Sequence, residues 1–132
     1  MLRAFIAIEI PDTVRLALAK LQTQLRQDLS QVRWVRPDGI HLTLRFLGDI
    51  PEERVDPIGR ALEGPLRGRA PFQLGLRGLG AFPGVRKARV IWAGLCGDTA
   101  ALTDLQQEVE TALDPVGFRR EKRRFKAHLT LG

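Results

Sequence analysis

Two histidines are the only imidazoles in this 132-residue chain, and each opens the same tetrapeptide: His41-Leu42-Thr43-Leu44 and His128-Leu129-Thr130-Leu131. With 20 leucines and 7 threonines in the chain, chance would follow both histidines with Leu-Thr-Leu about one time in a million. An imidazole titrates near neutral pH, and a neighbouring threonine hydroxyl can donate a hydrogen bond to an anion. A duplicated pair of this kind suits acid–base chemistry on a phosphate: one histidine gives a proton, the other takes one, and two hydroxyls hold the charged oxygens. A structural role is the usual fate of a single histidine, but the shared context of these two favours catalysis or phosphate binding. A metal site is not implied, because two histidines on separate strands lack a third ligand at a recognisable spacing and Cys96 is distant in sequence. Neither a Cys-His pair nor a Gly-x-Ser-x-Gly elbow is present to make a nucleophile. Without a Walker loop, a dinucleotide fingerprint or a zinc knuckle, no cofactor is demanded.

The tetrads alternate polar and apolar, which is the period of a half-buried strand. On such a strand His41 and Thr43 share one face, with Leu42 and Leu44 on the core side; His128 and Thr130 are related in the same way. The flanking sequence predicts the elements that carry them. Leu2–Ile8 reads as a strand, Asp12-Thr13 as a helix N-cap, and Val14, Ala17, Leu18, Leu21 and Leu25 as the apolar stripe of a helix ending near Leu29 or Ser30. Arg33–Val35 reads as a short strand, Pro37-Asp38-Gly39 as a turn, and Ile40–Leu47 as the strand of the first tetrad, closing at Gly48-Asp49. Glu52–Leu62 reads as a helix with Val55, Ile58 and Leu62 inward, although Pro57 conflicts with a helix interior. Phe72, Leu74 and Leu76 alternate as a strand, and Leu79–Gly84 reads as a loop.

The first pattern then recurs. Ala88–Leu95 reads as a strand, Asp98-Thr99 as a cap, Leu102, Leu105, Val109 and Leu113 as a helical stripe with Gly117 just beyond it, and the second tetrad follows. Asp12 and Asp98 are 86 residues apart, His41 and His128 87. The expectation is one domain over residues 1–132, an α+β, bilobal fold. In it two β-α-β halves (about 1–48 and 86–132, joined by 49–85) are related by a pseudo-twofold axis, with antiparallel sheets around a central cleft. A complete repeat predicts a helix and a strand after the second tetrad, so the second lobe is expected to be truncated or the sequence a fragment.

Charge narrows the partner. There are 21 Lys+Arg against 15 Asp+Glu, a net charge of +6 and a pI near 10.7, which suits a polyanion, nucleic acid first, or a small phosphate ester. The run Arg119-Arg120-Glu121-Lys122-Arg123-Arg124-Phe125-Lys126 leads into His128. Such runs are usually solvated loops, but strand parity puts Lys126, with Arg124, on the face of His128, and Arg45 on the face of His41 and Thr43. Lys126 and Arg45 are therefore candidate substrate-binding cations. Trp34 and Trp92 lie within apolar strands and are expected in the core rather than as base-stacking platforms. Hydrophobic content of 44% argues against disorder. Cys96 has no disulfide partner, which fits a reducing cytosol. The apolar run Phe5–Ile10 stops at Pro11, too short for a signal or a membrane span, so no membrane partner is expected.

At its tetrads the chain resembles the two-histidine (2H) phosphoesterase superfamily, defined by two His-x-Thr/Ser-x motifs, and within it the bacterial RNA 2′,3′-cyclic phosphodiesterases historically called 2′-5′ RNA ligases. Arg3–Pro11 resembles that family's opening strand, and Arg33-Trp34-Val35-Arg36-Pro37 through His41–Gly48 its first motif region. Leu79-Gly80-Ala81-Phe82-Pro83, Arg89-Val90-Ile91-Trp92-Ala93-Gly94 and Phe125–Gly132 also match. The resemblance implies metal-independent hydrolysis of a terminal 2′,3′-cyclic phosphate of RNA to a 2′-phosphate, with reversible 2′-5′ joining of tRNA halves in some members. By motif, His41 resembles the proton donor, His128 the proton acceptor, and Thr43 and Thr130 the phosphate-binding hydroxyls. Members usually continue past the second motif, with an arginine just after the glycine and a final strand. A cytoplasmic monomer acting on RNA ends is expected. Two alternatives stand beside it: an idle binder of RNA ends or nucleotides, and a phosphoesterase for small cyclic nucleotides.

Overall fold

The computed structural model describes residues 1–82, 90–122 and 124–132. It is an α+β fold of three helices and two antiparallel sheets. The chain runs β1 (Leu2–Glu9), α1 (Asp12–Arg26), β2 (His41–Ile50), α2 (Val55–Leu66), β3 (Leu74–Phe82), β4 (Val90–Gly97), α3 (Thr99–Leu113) and β5 (His128–Thr130). Strands β1 and β2 form one sheet; β3, β4 and β5, in that order, form the other. Each strand–helix–strand unit of the sequence repeat thus pairs its own two strands, β1 with β2 and β4 with β5. Among the described residues no helix is long and apolar enough to cross a membrane.

The residues fall into two compact units. One comprises Met1–Ala7, Thr43–Leu74 and Gly97–Lys126. Its buried apolar residues are Leu44, Ile50, Ile58, Leu102, Val109 and Leu113, and α2 packs on α3. Asp98 stands at the N-cap of α3, but its carboxylate does not cap the helix; it accepts the Gln73 backbone N–H at 2.9 Å, and its own N–H donates to the Gln73 carbonyl at 2.9 Å. Arg54 reaches from the turn before α2 to the Val116 carbonyl and lies 4.6 Å over the Phe118 ring, a cation–aromatic contact that fixes the exit from α3.

The other unit comprises Ile8–Leu42, Gly75–Cys96 and Ala127–Gly132, with Leu18, Val32, Ile40, Leu42, Ile91, Ala93, Leu129 and Leu131 buried. Antiparallel pairing sets Trp92 opposite Thr130, Ala93 opposite Leu129 and Gly94 opposite His128. Past the short β5, Leu131 N–H donates to the Ile91 carbonyl at 2.8 Å and Ile91 N–H to the Gly132 carbonyl at 2.9 Å.

Several elements differ from the sequence expectation. Helix α1 is capped by Pro11 rather than Asp12: Pro11 is extended and its carbonyl accepts the N–H groups of Val14 and Arg15 at 3.0 and 3.1 Å. The helix ends at Arg26, short of Leu29. Arg33–Val35 is not a strand; Val35 N–H donates to the Leu131 carbonyl at 2.9 Å, and the side chain of Gln22 takes the place of a strand neighbour. The Gln22 amide, buried on the apolar face of α1, donates to the carbonyls of Val35 and Leu131 at 2.7 and 2.9 Å. Strand β2 passes through Gly48, which adopts φ 74°, and continues to Ile50. Pro57 lies in the first turn of α2, where its missing N–H has no intrahelical acceptor to lose. Val55, expected inward, opens that helix and is exposed. Residues 79–82, expected in a loop, belong to β3: Gly80, which read as a turn signal, admits the Trp92 ring as a close neighbour across the sheet. Pro83, Gly84, Ala88 and Arg89 lie outside the described residues.

Gln22→Leu is expected to lower the unfolding free energy by about 2 kcal/mol, because it leaves the Val35 carbonyl without its donor. A shift of the urea midpoint at constant slope measures this; an unchanged midpoint would show that water replaces the amide.

Candidate functional site

The first tetrad opens β2, with Leu42 and Leu44 buried and His41 and Thr43 half-buried on the alternate positions. The second forms β5 and the residue after it: Leu129 and Leu131 are buried, His128 is exposed and Thr130 half-buried. Both histidine–threonine pairs therefore present to the side the strand leaves open. His41, His128 and Thr130 belong to one compact unit, Thr43, Arg45 and Lys126 to the other.

On the face of the β4–β5 pair that carries His128 and Thr130, Trp92 of β4 lies beside both of them. It is the cross-strand partner of Thr130, and its ring centroid is 6.4 Å from that of His128 at an interplanar angle of 68°. Trp92 is half-buried, so only part of its expected core role is realised.

Arg45 continues the alternation of His41 and Thr43 and is nearly enclosed. Its Nη1 donates to both oxygens of Glu110 at 3.0 Å and its Nε to the Phe46 carbonyl at 3.2 Å, and the Nε forms an ion pair with a Glu121 carboxylate oxygen at 3.2 Å. The side chains of Arg45 and Glu110 are 11% and 4% exposed. Glu110 also accepts the backbone N–H of Glu121 at 3.1 Å and the Gln106 amide at 3.3 Å, and that amide reaches the Leu44 carbonyl at 3.3 Å. Two polar side chains on α3 thus hold the backbone and the side chain of β2 directly after Thr43. They also hold the start of the basic segment. Arg120 is tied down beside them, donating to Gln107 at 2.6 Å and to the Thr111 hydroxyl. Arg119, Lys122, Arg124 and Lys126 are exposed, and Arg123 lies outside the described residues. Among the described residues no group of three His, Cys, Asp or Glu side chains is placed to hold a metal ion.

Known proteins resemble the chain along nearly all of its length. A family model described as LigT-like phosphoesterase matches residues 8–92, which include the first tetrad. An RNA 2′,3′-cyclic phosphodiesterase of Methanothermobacter thermautotrophicus is 35% identical over 130 residues, 98% of this chain and 70% of that protein. One from Archaeoglobus fulgidus is 37% identical over 131 residues, 99% of this chain and 72% of the relative. The chain belongs to the LigT-like phosphoesterases. Among solved structures, one from Thermus thermophilus superposes with a TM-score of 0.80 at 34% identity, covering 98% of this chain and 73% of that one. Escherichia coli LigT without ligand follows at 0.78 and 27%, covering 98% and 70%.

The family model spans the first tetrad but stops short of Gln106 and Glu110, which the sequence analysis passed over. Their signal was present: with Leu102, Val109 and Leu113 they occupy one face of α3, so two polar residues stood inside an apolar stripe. A buried carboxylate needs a partner, and Arg45 is the one supplied. Arg45→Met is expected to lower the unfolding free energy by about 3 kcal/mol by stranding Glu110, and Arg45→Met with Glu110→Met to recover most of that loss. Chemical denaturation of the single and double variants measures it; equal destabilisation of both would show that the pair, not the stranded charge, carries the stability.

Proposed function

We propose that this LigT-like phosphoesterase hydrolyses the terminal 2′,3′-cyclic phosphate of RNA to a 2′-phosphomonoester, with His41 and His128 as its acid–base pair. The observation that carries the reading is the alternation of both tetrads: two histidine–threonine pairs on open strand faces, each backed by buried leucines. The relatives named above act, by name, on RNA 2′,3′-cyclic phosphate, and E. coli LigT has been crystallised with 3′-AMP.

The reaction needs a water deprotonated on one side of the phosphorus and the 3′-oxygen protonated on the other. His128, neutral, removes the proton from water; the resulting hydroxide forms the new P–O bond. His41, protonated, delivers its proton to the 3′-oxygen as the P–O3′ bond breaks, leaving the phosphate on the 2′-oxygen. Each such proton transfer contributes roughly 10²–10⁴-fold. The hydroxyls of Thr43 and Thr130 donate to the non-bridging oxygens, where a well-aimed donor is worth about 3 kcal/mol. The chain's own side chains complete this cycle without a metal or a cofactor. The same step with a ribose 5′-hydroxyl attacking in place of water, its proton taken by His128 as the P–O3′ bond breaks and His41 protonates the 3′-oxygen, forms a 2′-5′ phosphodiester, and the reverse of that step cleaves one. Lys126 and Arg45 are the accompanying cations, the charge of Arg45 being shared with Glu110 and Glu121. The exposed Arg119, Lys122 and Arg124 favour an oligonucleotide over a lone cyclic nucleotide. A cytosolic monomer fits this role, in keeping with the free thiol of Cys96.

With a cyclic-phosphate-ended RNA, His41→Ala and His128→Ala are each expected to lower turnover at least about a hundredfold with the circular dichroism unchanged. The wild-type rate is expected to persist in chelator, with a 2′-phosphate as the product seen by phosphorus NMR. Retained turnover in either variant, or loss of the wild-type rate on chelation, would overturn the reading. Tight, salt-sensitive binding without product would identify an idle RNA binder.

A further inference from the structure

We infer that Trp92 is a positioning residue for His128, and that it is seated by the absence of a side chain at Gly80. The inference rests on the assignment of His128 as the proton acceptor. Cross-strand register places Trp92, Gly94, His128 and Thr130 on one face of the β4–β5 pair, with Ala93 and Leu129 facing each other, buried, on the other. Directly opposite His128 stands Gly94, which offers no side chain; a Cβ there would meet the Arg77 carbonyl oxygen at 2.5 Å. Lateral support within this strand pair therefore comes from the diagonal neighbour, and the indole of Trp92 meets the imidazole edge-on at 6.4 Å and 68°, a favoured aromatic geometry.

The indole is fixed on its far side as well. A Cβ at Gly80 on β3 would overlap its six-membered ring at Cζ2, Cε2 and Cη2, so the ring lies flush on a glycine. Gly80 and His128 lie on the two strands that flank β4, and a side chain at position 80 would have to displace the indole. The torsional preference about an imidazole's terminal side-chain bond is broad, so the ring's angle is set by the groups packed around it. A general base must keep one nitrogen on the attacking water, and a small misplacement of a reacting group lowers the rate steeply. A rigid wall beside the ring supplies that restriction without touching the substrate.

The test is a kinetic cycle on a cyclic-phosphate-ended RNA. Gly80→Ala is expected to lower kcat about tenfold with KM within about twofold, because the displaced indole disturbs His128. In a Trp92→Leu background, itself similarly slow, Gly80→Ala should have no further effect, whereas Trp92→Phe keeps an aromatic edge and most of the activity. A purely structural defect would lower the active fraction equally in both backgrounds, and that result overturns the inference, as does wild-type kcat in Trp92→Leu. Should Gly80→Ala not fold, the comparison of Trp92→Leu with Trp92→Phe decides alone. Contact is read independently of turnover in a Trp34→Phe background: protonation of His128 should quench the Trp92 fluorescence, with a transition that disappears in His128→Ala. Absence of that transition overturns the inference. If the wild type shows the transition but releases no 2′-phosphate, the contact stands and the catalytic assignment fails.

Discussion

Everything proposed for this chain depends on a strand's two-residue period enforced by four leucines. Leu42, Leu44, Leu129 and Leu131 are 3%, 6%, 1% and 0% exposed. Burying one such side chain is worth about 1.5–3 kcal/mol, and a one-residue slip would turn the leucines out and the histidines in. Register is therefore not negotiable at either tetrad, and the polar pair is held on the open face by the apolar pair behind it. On the proposed reading, catalytic placement is a by-product of core packing.

Charge does different work in the two parts of the molecule. The net excess of cations is spread over exposed side chains, where it can attract a polyanion at a distance. Arg45 and Glu110, by contrast, lie almost fully enclosed, with the exposed Glu121 beside them, and a desolvated ion pair of this kind contributes little net stability. What the cluster provides is attachment: through Gln106 and Glu110, helix α3 holds β2 immediately after Thr43, and by accepting the Glu121 backbone N–H it also fixes the base of the segment that leads to the second tetrad.

The strand–helix–strand repeat and both tetrads were legible in the sequence because amphipathic period and buried leucine are the same physical signal. The α+β class follows from them. The polar residues inside the apolar stripes were less legible: Gln22 on α1, Gln106 and Glu110 on α3 look like irregularities until their partners, the carbonyls of Val35, Leu131 and Leu44 and the guanidinium of Arg45, are in place. Those partners are 13 to 109 residues away in sequence, beyond the reach of any local pattern. Glycine misled for the same reason. At Gly80 it marks a close approach by the Trp92 ring, a tertiary fact, whereas residues 79–84 read alone resemble a turn. The Pro11 cap shows the converse, a local choice between Pro11 and Asp12 that sequence preference alone does not settle.

The central claim is that two histidines work in opposite protonation states on one cyclic phosphate. The pH dependence of kcat/KM for cyclic-phosphate-ended RNA tests it most directly, measured on the wild type and on each histidine-to-alanine variant. The account predicts a bell-shaped wild-type profile, since one imidazole must be neutral and the other protonated, and in each variant a residual rate that has lost one limb, a different limb for each. A wild-type profile with a single limb, or a bell that survives in both variants, would contradict it.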